Sequence, residues 1–230
     1  GDTAALLSLE GCGPLETDPG LLSELADAGV VSVSLTWNED NSFGGGSNGE
    51  RTRGLTPAGE NIIRRLNELR IIPDVSHTSV ATFWDVLALS RRPVIASHSN
   101  ALAVTEHSRN LDDAQLRAIA ASGGVVGLNL HSPFLTAAGS AATLDEVLAH
   151  ADHLRSVMGI NHVALGTDFD GGILAPADLR DYSDLPKLTA ALLDHGWEPA
   201  DVRAFLGENV VRVLEQTWKG ELTPDGRQGR

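Results

Sequence analysis

Six short segments rich in Val, Ile and Leu, either alternating or continuously apolar, occur along the chain with stretches of helical period between them. Short runs of this kind are typical of β-strands, whereas apolar residues spaced three and four apart are typical of amphipathic helices. The pattern therefore predicts alternating strands and helices. The predicted strands are residues 5–11, 30–37, 71–77, 94–98, 125–130 and 162–170.

Several of the intervening helices have recognisable N-terminal signals. A capping hydroxyl before proline suits a helix start because the proline φ matches the first helical position. A Thr or Asp followed three residues later by Glu or Gln has the spacing of a capping box. These signals are Thr56 with Pro57, Asp112 with Gln115, and Thr143 with Glu146. After the last predicted strand, residues 185–196 and 199–216 predict two further helices.

Alternating strands and helices indicate parallel strands joined by right-handed crossovers, in either a Rossmann-like sheet or a barrel. No G-x-G-x-x-G segment opens a predicted helix, and no G-x-x-x-x-G-K-[ST] segment occurs, which disfavours a nucleotide-binding sheet. The sequence therefore predicts an α/β fold of the (β/α)8 TIM-barrel type, of which this chain supplies six βα units. We expect residues 1–218 to form the barrel domain, incomplete at its N-terminus, and residues 219–230 to form a polar tail.

Composition narrows the range of partners. The chain has 31 acidic and 17 basic side chains and a net charge of -14, which argues against nucleic acid and favours small molecules, peptides or cations. No run approaches the ~18 apolar residues of a membrane span. Cys12 is the single cysteine, so a metal site must be built from His, Asp and Glu. The lack of cysteine pairs favours a cytoplasmic location.

Side chains that can bind metal or substrate stand at the carboxyl ends of the predicted strands, which converge on one mouth in a barrel. Imidazole and carboxylate groups there would suit Zn²⁺ or a similar ion, and a carboxylate can bridge two ions about 3.5–4 Å apart. A lone histidine at a strand end is more often a hydrogen-bonding residue, but the matched pair His77 and His98 favours a metal site. The residues at these ends are Glu10, Trp37, Asn38, His77, His98, Asn129, His131, Asp168 and Asp170.

The remaining histidines lie on predicted helices or at strand starts, and we interpret them as surface or packing residues. His150 and Asp152 have the H-x-D spacing of a metal site, but their side chains would diverge by about 200° on a helix, which indicates helix surface. Cys12 has no adjacent base in the sequence, so we expect a packed thiol rather than a nucleophile. These histidines are His107, His150, His153, His162 and His195.

A set of motifs occurs in the order and approximate spacing of a known family. Among them are SLEG at 8–11, DVSHTS at 74–79, ASHSNA at 96–101, HSRNLDD at 107–113 and GTDFDGG at 166–172. Together they make the chain resemble a bacterial member of the membrane dipeptidase (renal dipeptidase) family of zinc peptidases, from about residue 4 to 216. The resemblance implies a (β/α) barrel with two zinc ions. It also implies hydrolysis of short dipeptides, including those with a C-terminal D-residue, by a metal-bridging hydroxide.

The resemblance assigns roles to individual residues. It implies that Glu10 bridges two zinc ions and that His77 and His98 complete the coordination of one of them. It implies that Asp168 binds the other zinc and handles the proton of the bridging water. Arg109 is then the residue that pairs with the terminal carboxylate of the substrate, as a planar two-donor group can.

Two departures from the family pattern change these expectations. Trp37 and Asn38 stand where the animal kidney enzymes have a histidine that contacts the reacting carbonyl region, so we expect both to contact substrate. The family's H-x-D motif on the first barrel strand, which supplies two ligands to the zinc of Asp168, does not precede Glu10 in this chain. We expect an upstream segment or a homodimer partner to complete the barrel, because open sheet edges need cover.

The sequence leaves two alternatives to a zinc dipeptidase open. A chain without the H-x-D strand would keep one metal site, which makes a single-metal or non-catalytic subunit an alternative to the enzyme. Another metal-dependent amidohydrolase would present similar strand ends, although the R-N-x-D-D element beginning at Arg109 argues against it.

Overall fold

The computed structural model describes residues 4–219, in which strands and helices alternate as predicted. All six predicted strands are present, and each is shorter than its predicted segment. The strands are β1 (Leu7–Glu10), β2 (Val30–Ser34), β3 (Ile72–Asp74), β4 (Ala96–Ser99), β5 (Val126–Leu128) and β6 (Val163–Leu165). The helices are α1 (Leu21–Asp27), α2 (Pro57–Leu69), α3 (Val80–Leu89), α4 (Asp113–Ala121), α5 (Ser132–Leu135), α6 (Leu144–Met158), α7 (Leu185–Asp194), α8 (Pro199–Arg203) and α9 (Asn209–Lys219).

The three predicted helix starts are confirmed by their side-chain hydrogen bonds. Thr56 accepts a bond from the backbone N–H of Gly59 at the start of α2. Capping boxes with both reciprocal bonds precede α4 and α6. The helix predicted over 199–216 is divided into α8, a π-helical turn at Ala204–Glu208, and α9. These caps satisfy N–H groups that the helix itself leaves without partners.

The chain divides into two compact units, and the first comprises residues 4–95 and 214–219 of the described chain. Its sheet has the order β1-β2-β3, with all strands parallel. Glu10 is opposite Ser34, and Ser34 is opposite Asp74, so the three strands end at the same level. Fully buried Leu35, Ile63, Leu66 and Phe83 belong to the core of this unit.

The second unit is Ala96–Val213, and its sheet has the parallel order β4-β5-β6. The strands approach closely at two glycines, because a Cβ built on Gly127 or Gly166 would lie 2.1 Å or 2.0 Å from the Ser97 carbonyl oxygen. Core side chains of this unit include Leu128 and Phe205, both fully buried. The predicted α/β class with parallel strands is thus confirmed, and residues 4–219 form two three-stranded sheets and no closed barrel.

Helix α9 is the last described element, and two arginines bind its final carbonyl groups. Arg92 donates to the Thr217 carbonyl oxygen at 2.9 Å, and Arg70 donates to that of Trp218 at 2.5 Å. Cations at a helix C-terminus also interact favourably with the helix dipole. Of the predicted polar tail, residues 220–230 lie outside the described residues. Within residues 4–219, every helix is too short or too polar to cross a membrane.

Candidate functional site

Glu10 and His77 meet at the carboxyl edge of the first sheet. Glu10 is the last residue of β1, and His77 follows the end of β3 by three residues. The Glu10 Oε1 lies 2.6 Å from the His77 Nε2, with side chains 49% and 4% exposed. Carboxylate oxygen and imidazole nitrogen are both ligand atoms that Zn²⁺ accepts. This sheet edge therefore brings together two of the predicted metal ligands.

A short turn after β3 positions His77. The Asp74 Oδ1 accepts hydrogen bonds from the backbone N–H and the hydroxyl of Ser76, at 3.0 Å and 2.7 Å. Short polar side chains commonly fix turns by bonding two residues ahead in this way. The His77 carbonyl oxygen accepts bonds from the Thr36 hydroxyl at 3.1 Å and the Ser47 N–H at 2.9 Å. The backbone of His77 is therefore held from the segment that follows β2.

The same segment also contacts the imidazole ring of His77. The Asn38 Oδ1 lies 2.8 Å from the His77 Nδ1, and it accepts a hydrogen bond from the Ser47 hydroxyl at 3.2 Å. The Trp37 ring stacks on the imidazole with centroids 6.0 Å apart and planes at 26°. Trp37 is 57% exposed, so more than half of this residue is accessible to solvent or a ligand. Both predicted substrate-binding residues thus lie beside the predicted metal ligand.

In the second unit, His98 and Arg109 are in direct contact. His98 lies in β4, and its Nδ1 is 2.8 Å from the Ser97 hydroxyl. The Arg109 Nη2 donates to the His98 carbonyl oxygen at 3.3 Å. Arg109 is only 6% exposed although it carries a charge. The structure therefore places the predicted carboxylate-binding residue against the backbone of a predicted metal ligand.

A Phe134-centred cluster surrounds Arg109. The guanidinium carbon lies 5.2 Å from the Phe134 ring centroid, within the range of a cation–π contact. The His107 and His131 rings lie 4.5 Å and 4.7 Å from the same ring. Burial lowers the pKa of both imidazoles, and the positive charge of Arg109 lowers it further, although the Asp168 carboxylate partly opposes the shift at His131. The neighbours of Arg109 are therefore kept uncharged near neutral pH, which limits repulsion of the guanidinium.

Asp168 is held by a chain of amide hydrogen bonds. The Asn129 Nδ2 donates to the Asp168 Oδ2 at 3.0 Å. Fully buried Asn100 and Asn129 are joined by a reciprocal pair, since the Asn100 side chain bonds the backbone N–H and carbonyl of Asn129, both at 3.0 Å. Paired buried amides of this kind leave little freedom of rotation. The ends of β4 and β5 thus fix one oxygen of the predicted catalytic carboxylate.

The backbone around Asp168 adopts an uncommon conformation. Asp168 and Asp170 have φ of 60° and 65°, in the left-handed region that non-glycine residues seldom occupy. Gly171 has no room for a side chain, because a Cβ there would lie 2.4 Å from the Asp168 Oδ1. Such conformations cluster at functional sites, where the surrounding structure enforces them. This geometry accounts for the glycine at position 171 of the GTDFDGG motif.

His150 and Cys12 lie outside the predicted site, and both are buried. The helix-surface interpretation of His150 is wrong, because its side chain is fully buried and its Nδ1 accepts a hydrogen bond from the Ala101 N–H at 3.2 Å. The H-x-D spacing gave no sign of which face of α6 would pack inward. Cys12 is also fully buried, and burial raises its thiol pKa to about 12. A thiol in that state is a packing group rather than a nucleophile.

Three residues near the site were missed by sequence reasoning. Asn100 had an available signal, since it follows β4 just as the recognised Asn129 follows β5. His107 and Phe134 come from segments that follow β4 and β5, and their approach to Arg109 depends on contacts distant in sequence. Local patterns cannot report such contacts.

Comparisons with known proteins give a consistent result. The family model described as membrane dipeptidase, peptidase family M19, matches residues 1–223. An uncharacterised protein of Klebsiella pneumoniae, described by its position in the pqqA 5' region, is 40% identical over 225 residues, covering 94% of this chain and 83% of that protein. Dipeptidase verJ of Clonostachys rogersoniana is 36% identical over 217 residues, covering 94% of this chain and 55% of that protein.

Solved structures agree with these sequence similarities. The crystal structure of a metallopeptidase from Rhodobacter sphaeroides, liganded with a phosphinate mimic of the dipeptide L-Ala-D-Ala, has a TM-score of 0.87 and 38% identity. The similarity covers 93% of this chain and 63% of that one. This chain therefore spans less than two thirds of that structure and about half the length of the Clonostachys relative.

Proposed function

Because this chain belongs to the membrane dipeptidase family of metallopeptidases, peptidase family M19, we propose that it acts as a zinc-dependent dipeptidase. The proposed substrates are short dipeptides, including those with a C-terminal D-residue. A 36% identical relative is named a dipeptidase, and a 38% identical structure holds a mimic of L-Ala-D-Ala. Both observations support a dipeptide as the substrate class.

The contact between Glu10 and His77 carries the proposal. A carboxylate oxygen 2.6 Å from an imidazole nitrogen supplies two atoms of the kind that bind Zn²⁺, on residues at the end of β1 and in the turn after β3. The His77 Nδ1 faces the side-chain Oδ1 of Asn38, so the Nε2 is the nitrogen directed toward Glu10. The donor chemistry of this pair therefore fits a divalent transition metal such as zinc.

The proposed ligands follow the family motifs. Glu10, His77, His98 and Asp168 are the residues that would hold the zinc. When bound, zinc polarises a peptide carbonyl and lowers the pKa of water, which makes peptide hydrolysis feasible at neutral pH.

The chain's own residues have separate tasks in the proposed reaction. The Asn129 side chain donates a hydrogen bond to the Oδ2 of Asp168. The Oδ1 is then the atom that takes up the proton of the attacking water and returns it to the leaving amine. Arg109 binds the C-terminal carboxylate of the dipeptide, since a guanidinium offers two parallel donors to a carboxylate. Its burial strengthens that ion pair by excluding water, and its fixed position selects substrates of dipeptide length.

The proposal is tested by assaying zinc-loaded protein for release of alanine from L-Ala-L-Ala, L-Ala-D-Ala and the tripeptide L-Ala-L-Ala-L-Ala. We expect cleavage of both dipeptides and none of the tripeptide. Arg109→Lys should raise KM by about tenfold or more, because a charge-assisted hydrogen bond contributes about 1.5–3 kcal/mol. Arg117→Lys is the matched control, since Arg117 lies on exposed α4 surface and pairs with Asp113. Zinc-loaded protein that cleaves no dipeptide would contradict the proposal.

A further inference from the structure

We propose that Asn38 is a positioning residue that selects the metal-binding tautomer of His77. This inference rests on the proposed function only in treating His77 as a zinc ligand. It gives Asn38 a task different from the substrate contact that the sequence predicts. The geometry that supports it lies entirely within the first unit.

The contact at the His77 Nδ1 determines where the ring proton resides. A neutral imidazole has one N–H, and an amide carbonyl oxygen can only accept a hydrogen bond. With the Asn38 Oδ1 at 2.8 Å, the His77 Nδ1 must be the donor. The other tautomer would place two acceptor atoms against each other at that distance. The lone pair required for metal coordination is thereby assigned to the Nε2.

The Nε2 lone pair points toward the second ligand. The Glu10 Oε1 lies 2.6 Å from the His77 Nε2, so in the metal-free protein these two electron-rich atoms share a proton, which a bound metal ion would displace. Such an arrangement is stabilised by a cation shared between the two atoms. Histidines that bind metals commonly donate their other N–H to an oxygen acceptor, which fixes the ring and raises its basicity. Asn38 supplies that acceptor here.

The position of Asn38 is itself fixed. The Ser47 hydroxyl donates to its side-chain oxygen at 3.2 Å, and the Asn48 N–H donates to its backbone carbonyl at 2.8 Å. Ser47 also donates its own N–H to the His77 carbonyl oxygen at 2.9 Å. The segment that carries Asn38 is therefore joined to His77 at both ring and backbone. Rotation of the Asn38 side-chain amide would break the hydrogen bonds of its Oδ1 with the Ser47 hydroxyl and the His77 Nδ1.

The experiment measures zinc affinity by competition with a chromogenic chelator, with zinc as the only added ligand. Asn38→Leu removes the acceptor at similar volume, and we expect it to weaken the tightest zinc site by about 10–100-fold. Asn38→Asp keeps an acceptor and adds charge, so its affinity should equal or exceed that of the unsubstituted protein. Asn61→Leu makes the same side-chain change at an exposed position of α2 and should leave the affinity unchanged.

A second readout follows the tautomer directly. In the zinc-free protein, the ¹⁵N shifts of the His77 ring should show a protonated Nδ1, and Asn38→Leu should lower the protonated fraction at that nitrogen. If Asn38→Leu does not fold by circular dichroism, Asn38→Ala replaces it in both measurements. A purely structural role for Asn38 would lower stability without changing the ring shifts.

The outcomes separate this inference from the proposed function. Zinc affinity within about twofold of the unsubstituted protein in Asn38→Leu, together with a raised KM, would overturn the inference in favour of a substrate contact. Weakened zinc binding and altered ring shifts support it, even when the protein cleaves no dipeptide. In that case the dipeptidase proposal fails while the positioning role stands.

Discussion

His150 shows how burial sets the ionisation state of a single residue. Its Nδ1 accepts from the Ala101 N–H, and its Nε2 lies 3.2 Å from the Leu135 carbonyl oxygen. This pattern requires a neutral ring, because a protonated Nδ1 would face another donor. Burial accordingly lowers the pKa of His150 to about 4 from 6.5, although the bond to Leu135 opposes the shift.

That lowered pKa predicts acid sensitivity. The folded state favours neutral His150, so its contribution is full above the unfolded pKa of 6.5 and is lost as pH falls toward about 4. The total loss is on the order of 3 kcal/mol of unfolding free energy. Urea denaturation at pH 8, 6.5, 5 and 4.5 should show His150→Gln with a shallower pH slope than the unsubstituted protein. The control Asn61→Gln, at an exposed position of α2, should retain the original slope; equal slopes in all three proteins contradict the prediction.

At the residue scale, the sequence predicts which side chains stand at strand ends but not what they contact. Glu10 and His77 were identifiable because both follow apolar strand segments. The hydrogen bond between the His77 ring and the Asn38 side chain joins residues 39 positions apart, so no local sequence pattern indicates it. The burial of His150 was not predictable for the same reason, since elements distant in sequence decide which face of α6 packs inward.

Among the elements, helix starts were predicted well because capping is a local interaction. Strand lengths were overestimated because a strand ends where its pairing partner ends, which is a property of the sheet. β3 illustrates this point: the apolar run predicted 71–77, but pairing stops at Asp74 and a turn stabilised by Ser76 takes over. That early ending is what places His77 off the strand and beside Glu10.

Gly46 lies in the segment that follows β2 and has no room for an added methyl group. A Cβ on Gly46 would lie 2.4 Å from the Glu39 carbonyl oxygen and 2.5 Å from that of Asn38, so the backbone must move. Gly46→Ala should lower the unfolding free energy by about 1–3 kcal/mol and weaken zinc binding by displacing Asn38. Gly13→Ala is the matched control, because nothing lies within 4 Å of its built Cβ. Thermal melts measure the loss of stability, and chelator competition measures zinc affinity. Unchanged zinc affinity in Gly46→Ala would contradict the dependence of zinc binding on the position of Asn38.

For the whole molecule, the alternation of apolar and amphipathic segments predicted the α/β class and parallel strands. The division into two three-stranded sheets was not predictable, since it depends on pairing between distant residues. The net charge of -14 favours cations and small substrates over nucleic acid as partners to test. The same charge creates a general attraction for cations, so specific zinc binding must be distinguished from surface binding.

Zinc that binds only the folded chain should raise its stability by mass action. At 100 times the dissociation constant the gain is about 2.7 kcal/mol, which corresponds to a Tm increase of roughly 5–11 °C for a chain of this size. Glu10→Gln should abolish most of that increase, because it removes a proposed ligand. Glu24→Gln makes the same charge change at an exposed position of α1 and should keep the full increase. Scanning calorimetry in the presence of zinc or EDTA measures the Tm increase of each variant. Equal Tm increases in both variants would place the bound zinc on the acidic surface instead of at Glu10.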